Sequence, residues 1–383
     1  MRGQLRVATL ITRLEGGAGV LALRGLLALD RGEFRPVLVT GTVPGGGNPL
    51  LEQALRAADI EVITEPALRS PISPRHDASA LRSLSALLRR QPFDVVHTHT
   101  AKAGALGRIA ARRAGVPRVV HTYHGFPFHE FQSRLRRASY VAVERRLGRI
   151  TDVALCVGTG VAVEAIRREL VPPERIRTIG VAVPAGPPLA ADTKERARRA
   201  LGIPPDATVV GAVGRLTYQK APEDFLTAVR EIGRLGRPDV VGVWVGGGDL
   251  AERIGQLNRS ARGPRVVLAG ERADIPEILP AFDVFALPSR YEGLPTAIVE
   301  AMTCGIPVVA TAVNAVGDVV VPGETGLLVP PGRPALLAAA VSYLLDSPAA
   351  AARMAANARE RLGTRFQVAT LREALVAAYT GQQ

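Results

Sequence analysis

Short runs of β-branched and other apolar residues alternate with longer helical patterns along the whole chain. In the first half such runs lie at residues 5–10, 36–40, 94–98, 118–122 and 153–157, and in the second half at 209–213, 240–245, 266–269, 284–287, 307–310 and 326–329. Strands that are apolar throughout and separated by helices are typical of parallel sheets covered on both faces. Two such series predict an α/β protein with two doubly wound domains.

The segment at residues 184–192, PAGPPLAAD, interrupts the periodicity between the two series and precedes a fresh helical pattern. It predicts a boundary between a first domain at residues 1–187 and a second domain at residues 188–363. In parallel α/β sheets, ligands bind at the carboxyl ends of the strands. We therefore expect the chemistry in the loops that follow the strands, across a cleft between the two domains.

The two cysteines, Cys156 and Cys304, are far apart and form no CxxC motif. This spacing favours a reducing compartment over a disulfide framework or a zinc site. The N-terminal apolar run is short and contains Thr and Arg, so it predicts a first strand rather than a signal peptide. No stretch approaches the roughly 20 apolar residues that a membrane span needs. These features predict a soluble, cytoplasmic protein.

The net charge of +13, from 48 Lys and Arg against 35 Asp and Glu, is unevenly distributed. Between Arg82 and Arg149, fourteen basic residues face three acids. Such a patch favours an anionic partner, namely phosphates, acidic lipid headgroups or nucleic acid. Generic surface charge in an arginine-rich composition is the open alternative.

An acidic pair brackets a predicted helix in the second half, within PSRYEGLPTAIVEAMTCGIPVVAT. The helix is predicted at residues 295–304, with Glu292 in the loop before it and Glu300 inside it. The loop therefore aims free backbone N–H groups and the positive helix end at one spot, and both carboxylates can accept hydrogen bonds from sugar hydroxyls. Solvated surface acids are the alternative, but Glu300 lies among apolar neighbours and so needs a partner.

Arg215 and Lys220 flank a loop that follows another strand of the same half, in VVGAVGRLTYQKAPEDF. A forked guanidinium and a mobile ammonium together suit a diphosphate, although such a pair is weak evidence alone. The glycine-rich turn WVGGGDL is interpreted as mainly structural. The chain contains no D-x-D acid pair, which predicts a metal-free site where these cations neutralise a departing diphosphate.

The first strand is followed by a glycine-rich loop, TRLEGGAGV. Gly16, Gly17 and Gly19 permit close approach of the backbone to a phosphate, although a tight turn is an equal alternative. The dinucleotide fingerprint G-x-G-x-x-G is absent from this loop.

Five of the six histidines fall between His97 and His129. His97 and His121 lie inside predicted strands and are interpreted as core histidines bonded to backbone. His99 and His124 lie at strand ends, where ligands bind, and His124 beside Gly125 suits contact with a transferred sugar or an acceptor.

The segment after these histidines combines aromatic and basic residues: Phe126, Phe128 and Phe131 beside Arg134, Arg136 and Arg137. Aromatic side chains beside a basic helix can rest on an anionic membrane surface, which would make the protein peripheral at the inner face of the membrane. An ordinary amphipathic helix packed on its own sheet is the alternative.

The chain contains five motifs in a fixed order: the glycine loop, DVVHTHTAKAGALGR, HTYHGF, VGRLTYQKA and the E-x7-E of EGLPTAIVE. Over essentially the whole chain they resemble the GT4 family of retaining glycosyltransferases. The resemblance implies the GT-B fold, in which two Rossmann-like domains face each other across a cleft. It also implies that residues 364–383 form a helix that returns to the first domain.

The resemblance implies a role for each candidate residue. Glu300 would bind the ribose of a nucleotide diphosphate sugar, while Arg215 and Lys220 would hold its diphosphate. Glu292 would hold the sugar hydroxyls, together with the backbone of the loop composed of Gly293, Leu294, Pro295 and Thr296. From the opposite domain, Gly16 and Gly17 would approach the donor and His124 would contact its sugar, with His99 as a further substrate-binding candidate.

The predicted function is a retaining, metal-independent transfer of a hexose from a UDP-linked donor to a hydroxyl of a glycan or lipid-linked acceptor. The HTHT-KAG and HGFPFH variants resemble members that build cell-envelope polysaccharides on lipid carriers. No cofactor beyond the donor co-substrate is expected. A nucleotide-sugar 2-epimerase of the same fold is the alternative. A nucleic-acid-binding protein would account for the positive charge but for none of the motifs.

Overall fold

The computed structural model describes residues 3–42, 49–69, 72–184, 191–260, 262–272 and 274–382. The chain divides into two compact units, the first comprising Met1–Ala182 with Gln367–Gln383 and the second comprising Val183–Phe366. Each unit contains a parallel sheet with helices between its strands. The predicted α/β class with two doubly wound domains is confirmed.

The first unit is built on seven parallel strands. They are β1 (Leu5–Ile11), β2 (Phe34–Thr40), β3 (Glu61–Thr64), β4 (Val95–His99), β5 (Arg118–Tyr123), β6 (Val153–Cys156) and β7 (Ile176–Thr178). The helices between them are α1 (Gly16–Ala28), α2 (Pro49–Ala57), α3 (Pro74–Arg90), α4 (Ala101–Ala114), α5 (Arg134–Gly148) and α6 (Thr159–Arg167). The strand order is β3-β2-β1-β4-β5-β6-β7. The order reverses between β1 and β4, which places a ligand crevice at their carboxyl ends.

The second unit repeats this plan with six strands. They are β8 (Val209–Val213), β9 (Val241–Val245), β10 (Val266–Leu268), β11 (Val284–Leu287), β12 (Val308–Thr311) and β13 (Leu327–Val329). The helices are α7 (Ala191–Ala200), α8 (Pro222–Arg234), α9 (Ala251–Ser260), α10 (Ile275–Ile278), α11 (Thr296–Thr303), α12 (Pro334–Asp346) and α13 (Pro348–Leu362). The order β10-β9-β8-β11-β12-β13 reverses between β8 and β11. The loops that follow these two strands are therefore neighbours.

The two strands that the sequence does not predict lie at sheet edges. β3 and β7 are the outer strands of the first sheet, and most of their side chains are exposed. An edge strand with polar side chains lacks the continuous apolar run by which inner strands are recognised. The eleven predicted strands are all present, with ends shifted by no more than two residues.

The last helix, α14 (Val368–Thr380), belongs to the first unit. Leu371, Leu375 and Tyr379 are buried, and the helix packs against α1. The boundary predicted between residues 187 and 188 falls within 185–190, outside the described residues. The connection from Phe366 to Gln367 carries the chain from the second unit to the first.

Helices α12 and α13 cover the sheet of the second unit. Leu337, Val341, Leu344 and Met354 are buried in one cluster with the strands. Within the part of the chain that the structure describes, no single helix has the length and apolar character to cross a bilayer, and α12 with α13 would meet that test only as a pair bent by 101°.

Candidate active site

The loop after β8 carries Arg215 and Lys220 and is fixed by the glycine turn after β9. Gly246 and Gly248 have φ angles of 137° and 148°, which residues with a Cβ rarely adopt. A Cβ on Gly246 would stand 2.2 Å from the carbonyl oxygen of Gly214, so the two backbones touch. The N–H of Leu216 also donates to the carbonyl of Gly247 at 2.7 Å. These glycines hold the Arg215–Lys220 loop in place.

Lys220 and Glu292, 72 residues apart in sequence, form an ion pair at the switch point between β8 and β11. Lys220 Nζ lies 2.5 Å from Glu292 Oε1, and the hydroxyl of Ser289 donates to the same oxygen at 2.6 Å. Gln219 Nε2 donates to Glu292 Oε2 at 3.3 Å and to the carbonyl of Tyr291 at 3.1 Å. Both carboxylate oxygens of Glu292 thus have donors from the protein.

The pair is almost completely removed from solvent. The side chains of Lys220 and Glu292 are 14% and 4% exposed. Such a pair persists only with good geometry and additional hydrogen bonds, which Ser289 and Gln219 provide. The sequence predicts that the Glu292 carboxylate faces sugar hydroxyls directly. In this structure the carboxylate instead forms an ion pair that fixes the position of the Lys220 ammonium.

Arg290 links the two loops from the other side. Its backbone N–H donates to the carbonyl of Gln219 at 2.8 Å and its guanidinium donates to the carbonyl of Tyr218 at 2.6 Å. The guanidinium also lies 4.4 Å from the centre of the Tyr218 ring. Ser289, Gln219 and Arg290 were not predicted as site residues, because nothing in their local sequence shows that they bridge two loops.

Arg215 is exposed on the same loop. Within the described residues its guanidinium makes no hydrogen bond or ion pair. Burial raises the pKa of Tyr291, and Tyr218 adds to that effect, while the positive charge of Arg215 acts in the opposite direction. A guanidinium without an internal partner can bind an anionic ligand without first breaking a contact.

Helix α11 begins immediately after the Glu292 loop, as predicted within one residue at each end. Pro295 is the N-cap and provides no side-chain cap, and the N–H groups of Gly293, Leu294, Thr296 and Ala297 have no acceptor among the described residues. At the other end, Gly305 (φ 78°) and Ile306 donate to the carbonyls of Met302 and Ala301, which closes the helix in a Schellman motif. The open N-terminus is suited to an oxyanion.

Glu300 lies on α11 and is partly buried. Its carboxylate contributes to raising the pKa of Cys304 to about 11, although burial is the larger cause. The sequence predicts a more deeply buried carboxylate. Glu300 therefore retains access to solvent.

The glycine loop of the first unit forms the start of α1. Gly16 has a φ of 60°, and both Gly16 and Gly17 are exposed. Glu15 is the N-cap and makes no side-chain cap hydrogen bond. Gly19 is buried against the backbone of Leu14, where a Cβ would stand 2.7 Å from the carbonyl carbon. Gly16 and Gly17 thus offer backbone to a ligand, while Gly19 has a packing role.

Four histidines of the first unit lie on β4, on β5 and directly after β5, and the rings of His97, His99 and His124 are in contact. His99 Nδ1 and His124 Nε2 are 2.8 Å apart, and the rings of His97 and His99 are 4.2 Å apart. His97 bonds to the hydroxyls of Tyr379 and Thr122, each at 2.7 Å, and His121 bonds to Thr98 Oγ1 at 2.9 Å. For His97 the predicted backbone partner is wrong, because its partners are the side-chain hydroxyls of Tyr379 and Thr122. His121 does bond to the backbone of Thr98, in addition to the Thr98 hydroxyl.

Of the predicted substrate-binding residues in the first unit, His99 is buried, with 3% of its surface exposed, whereas Gly16 and Gly17 are exposed. The hydrogen-bond partner of His99 is His124, which is partly exposed at the strand end. The structure thus brings His99 and His124 together in the first unit. In the second unit it brings together Lys220, Glu292 and the start of α11, with Arg215 on the same loop as Lys220.

The motif KAGALGR is explained by packing of α4 on the sheet. A Cβ on Gly104 would stand 2.5 Å from the ring of His121, and one on Gly107 would stand 2.7 Å from the methyl of Thr98. The next residue, Arg108, is completely buried and donates to Glu144 Oε2 at 2.8 Å. Burial alone would lower the pKa of Arg108, but Glu144 and Tyr123 outweigh it and raise that pKa.

The buried imidazoles make stability depend on pH. Burial, followed by repulsion from His124, lowers the pKa of His97 to about 3, and burial lowers that of His124 to about 4. Burial and neighbouring imidazoles lower the pKa of His99 well below its ordinary value, and burial and Arg108 do the same for His121. Below about pH 6.5 these histidines are protonated in the unfolded chain but remain neutral in the native protein. The unfolded state therefore binds more protons, so lowering the pH favours unfolding.

We expect the free energy of unfolding to fall by about 1 kcal/mol per pH unit for each buried histidine as the pH drops from 6.5 towards 5. Denaturant titrations at pH 7.5, 6.5, 6.0, 5.5 and 5.0 measure this slope. His124→Gln removes about one histidine's share of the slope. Equal slopes in the wild type and in His124→Gln would contradict this explanation.

The protein thus has two doubly wound α/β domains. The second domain presents a buried Lys–Glu pair, a guanidinium without an internal partner among the described residues and a helix N-terminus whose N–H groups are open to a ligand. Residues 15–185 match the family described as Glycosyltransferase Family 4, and residues 193–361 match the family described as Glycosyl transferases group 1. These matches cover both halves of the chain.

Two relatives and one solved structure support the same assignment. The chain is 38% identical over 255 residues to the UDP-Gal:alpha-D-GlcNAc-diphosphoundecaprenol alpha-1,3-galactosyltransferase of Escherichia coli, with 65% of each protein covered. It is 32% identical to the alpha-D-kanosaminyltransferase of Streptomyces kanamyceticus, covering 76% of this chain and 78% of that enzyme. Anabaena HepE in complex with UDP and glucose has the same fold, with a TM-score of 0.81 at 21% identity over 98% of this chain and 100% of that one.

The chain belongs to glycosyltransferase family 4, and its fold is GT-B. The family that the five sequence motifs resemble is thereby confirmed.

Proposed function

We propose that this protein transfers a hexose from a UDP-linked sugar to a hydroxyl of a lipid-linked glycan, with retention of the anomeric configuration and without a metal ion. The observation that carries the proposal is the buried Lys220–Glu292 pair between two loops, beside the open start of α11. Fixed positive groups at one spot suit a leaving diphosphate, because preorganised charges stabilise developing charge without reorganisation.

The second unit is proposed to bind the donor. Arg215, which needs to break no internal contact, forms a bidentate contact with the diphosphate, and Lys220 adds a point charge held in place by Glu292. The N–H groups of Gly293, Leu294 and Thr296 complete the anion site or bind the sugar hydroxyls. Glu300 accepts hydrogen bonds from the ribose hydroxyls. Glu292 also faces the sugar once the donor displaces part of its present hydrogen bonding.

A divalent cation is not needed in the proposed reaction, because Arg215, Lys220 and the helix N-terminus neutralise the negative charge of the leaving diphosphate. Each group lies on, or directly beside, the two loops at the switch point of the sheet. In the proposed retaining reaction the phosphate leaves from the face by which the acceptor arrives, so the departing phosphate can take the acceptor proton. Activity that is undiminished in the presence of EDTA supports the metal-free reaction, and dependence on added Mg²⁺ or Mn²⁺ would contradict it.

The first unit is proposed to contribute Gly16, Gly17 and His124 to the reaction. Neutral His124, positioned by His99, can accept or donate one hydrogen bond to a sugar hydroxyl. The Escherichia coli relative is named for a diphosphoundecaprenol-linked acceptor, which supports an acceptor of that chemistry here. We therefore propose a cytoplasmic reaction in the assembly of a cell-envelope polysaccharide.

A thermal-shift panel of UDP-, GDP- and ADP-sugars tests the donor class. A donor at 100 times its Kd stabilises the native state by about 2.7 kcal/mol, so we expect a clear rise in Tm for UDP-sugars alone. Arg215→Ala should abolish this rise while leaving the Tm of the free protein within about 2 °C, since an exposed residue without an internal partner contributes little to stability.

Two outcomes would contradict the proposal. A rise in Tm with GDP- or ADP-sugars only would exclude the UDP-linked donor, and an unchanged shift in Arg215→Ala would exclude its diphosphate contact. Incubation of the best donor without an acceptor separates transfer from epimerisation. An epimerised nucleotide sugar under these conditions would favour the 2-epimerase.

A further inference from the structure

Helix α5 of the first unit presents a row of arginines that none of the proposed catalytic steps uses. A groove of about 460 Å³ runs along this helix. It is lined by six arginines, namely Arg134, Arg137, Arg145, Arg146, Arg149 and Arg168. Ala138, Val141 and Ala142 form its floor, so short side chains leave the guanidinium groups room to approach one ligand surface.

The positive charge of this arginine groove is largely uncompensated. Among the described residues, Arg134, Arg137, Arg146 and Arg149 form no ion pair with an acid. Arg145 and Arg168 do have acidic partners, in Glu169 and Glu164. The one acid on α5, Glu144, points into the core and is neutralised there by Arg108.

The placement of the charge is also unfavourable for the helix itself. Arg134, Arg136 and Arg137 lie in the first turn of α5, and that turn contains no acid. Cations at a helix N-terminus are repelled by the positive end of the helix dipole. An anionic partner along this face would offset the repulsion, whereas a purely structural helix would gain from acids at these positions.

Large apolar side chains are exposed beside the arginines. Leu135 on α5 is 82% exposed, and Val143 two turns later is 48% exposed. Phe131, in the loop that leads into the helix, is 47% exposed. A free phosphate or a nucleic acid backbone offers no apolar surface for such residues. A bilayer surface offers both anionic headgroups and an apolar layer beneath them.

We propose that this face of α5 docks on an anionic bilayer surface. Lipid phosphates enter the arginine groove, while Leu135 and Phe131 enter the boundary between headgroups and acyl chains. The proposal goes beyond the transfer reaction and does not depend on it. It accounts for the four groove arginines that form no ion pair with an acid among the described residues.

Co-sedimentation of the full chain with vesicles tests this proposal. We expect binding to vesicles of phosphatidylcholine with about one third phosphatidylglycerol, and at least about tenfold weaker binding to pure phosphatidylcholine. The variant Arg134→Gln/Arg137→Gln/Arg146→Gln/Arg149→Gln should lose at least about tenfold in affinity for the anionic vesicles. Leu135→Ser should weaken binding at fixed charge.

The matched control removes the same charge from another exposed helix of the same unit. Arg75, Arg82, Arg89 and Arg90 are exposed on α3, and their fourfold substitution by Gln should leave vesicle binding close to that of the wild type. Equal losses in the two fourfold variants would overturn the proposal, because net charge alone would then explain binding. Equal binding to neutral and anionic vesicles would overturn it as well.

Two further measurements identify the source of the anion. Inorganic diphosphate or duplex DNA that displaces the protein from vesicles at micromolar concentration would overturn the assignment to a bilayer surface. The donor-induced rise in Tm should be retained in the α5 variant, which shows that the protein is folded. A loss of vesicle binding with an intact donor shift thus separates docking from the proposed transfer reaction.

Discussion

Replacement of Lys220 by Met is expected to lower kcat/KM for sugar transfer by about 10³-fold or more, because a fixed charge at the leaving group stabilises the transition state far more than the ground state. The ammonium lies 2.5 Å from Glu292 Oε1, in a site that is almost closed to solvent. Glu292→Gln should cause a comparable loss, since it releases the ammonium from its position. Initial rates with saturating acceptor and a radiolabelled donor measure both effects.

Stability must be measured beside activity, because each single substitution leaves one buried charge without its partner. We expect each to lower the free energy of unfolding by up to about 3 kcal/mol, with Ser289 and Gln219 limiting the loss in Lys220→Met. The double variant Lys220→Met/Glu292→Gln removes both charges and should recover part of this stability while remaining inactive. A double variant that regains activity together with stability would show that the pair serves folding rather than transfer.

Replacement of Arg108 by Met is expected to lower the free energy of unfolding by about 3–5 kcal/mol, which is the range for breaking a buried ion pair from one side. Arg108 is 0% and Glu144 is 3% exposed, and Glu144 also accepts from the hydroxyl of Tyr123 at 3.0 Å. After the substitution the carboxylate remains buried with Tyr123 as its donor. Chemical denaturation at pH 7.5 measures the loss.

Two companion variants show that the loss arises from the stranded charge. Arg108→Met/Glu144→Gln should be more stable than Arg108→Met, because no buried charge remains. Arg112→Met, one turn along α4, breaks a pair with Asp152 in which both side chains are about one third exposed, and should cost about 1 kcal/mol or less. Equal losses in Arg108→Met and Arg112→Met would contradict a special role for burial.

Much of the candidate site could be predicted from the order of motifs along the chain. Arg215, Lys220, Glu292 and the start of α11 all follow apolar strands of one series, and the carboxyl ends of parallel strands meet at one edge of a sheet. That rule places the loops at the same edge, and the chemistry of each side chain suggests its ligand. It does not show which loops are neighbours.

The contacts within the site could not be predicted in this way. Glu292 was expected to hold the sugar hydroxyls together with the backbone of its loop, and the structure adds hydrogen bonds that it accepts from Lys220, Ser289 and Gln219. Lys220 and Gln219 lie more than 70 residues from Glu292, and no periodicity connects the two segments. The histidines show the same limit, since the bond between His97 and Tyr379 joins residues that are 282 positions apart.

The sequence by itself determined the alternation of strands and helices, apart from the polar edge strands β3 and β7, because period and side-chain type are local properties of a chain. It also determined the membership in glycosyltransferase family 4, whose motifs are short and ordered. The tertiary structure alone decided that β8 lies beside β11 and that Lys220 reaches Glu292. Strand order depends on how the crossover helices pack on the sheet. The packing energy comes from many weak contacts between residues far apart in sequence, and a local sequence pattern carries no information about those contacts.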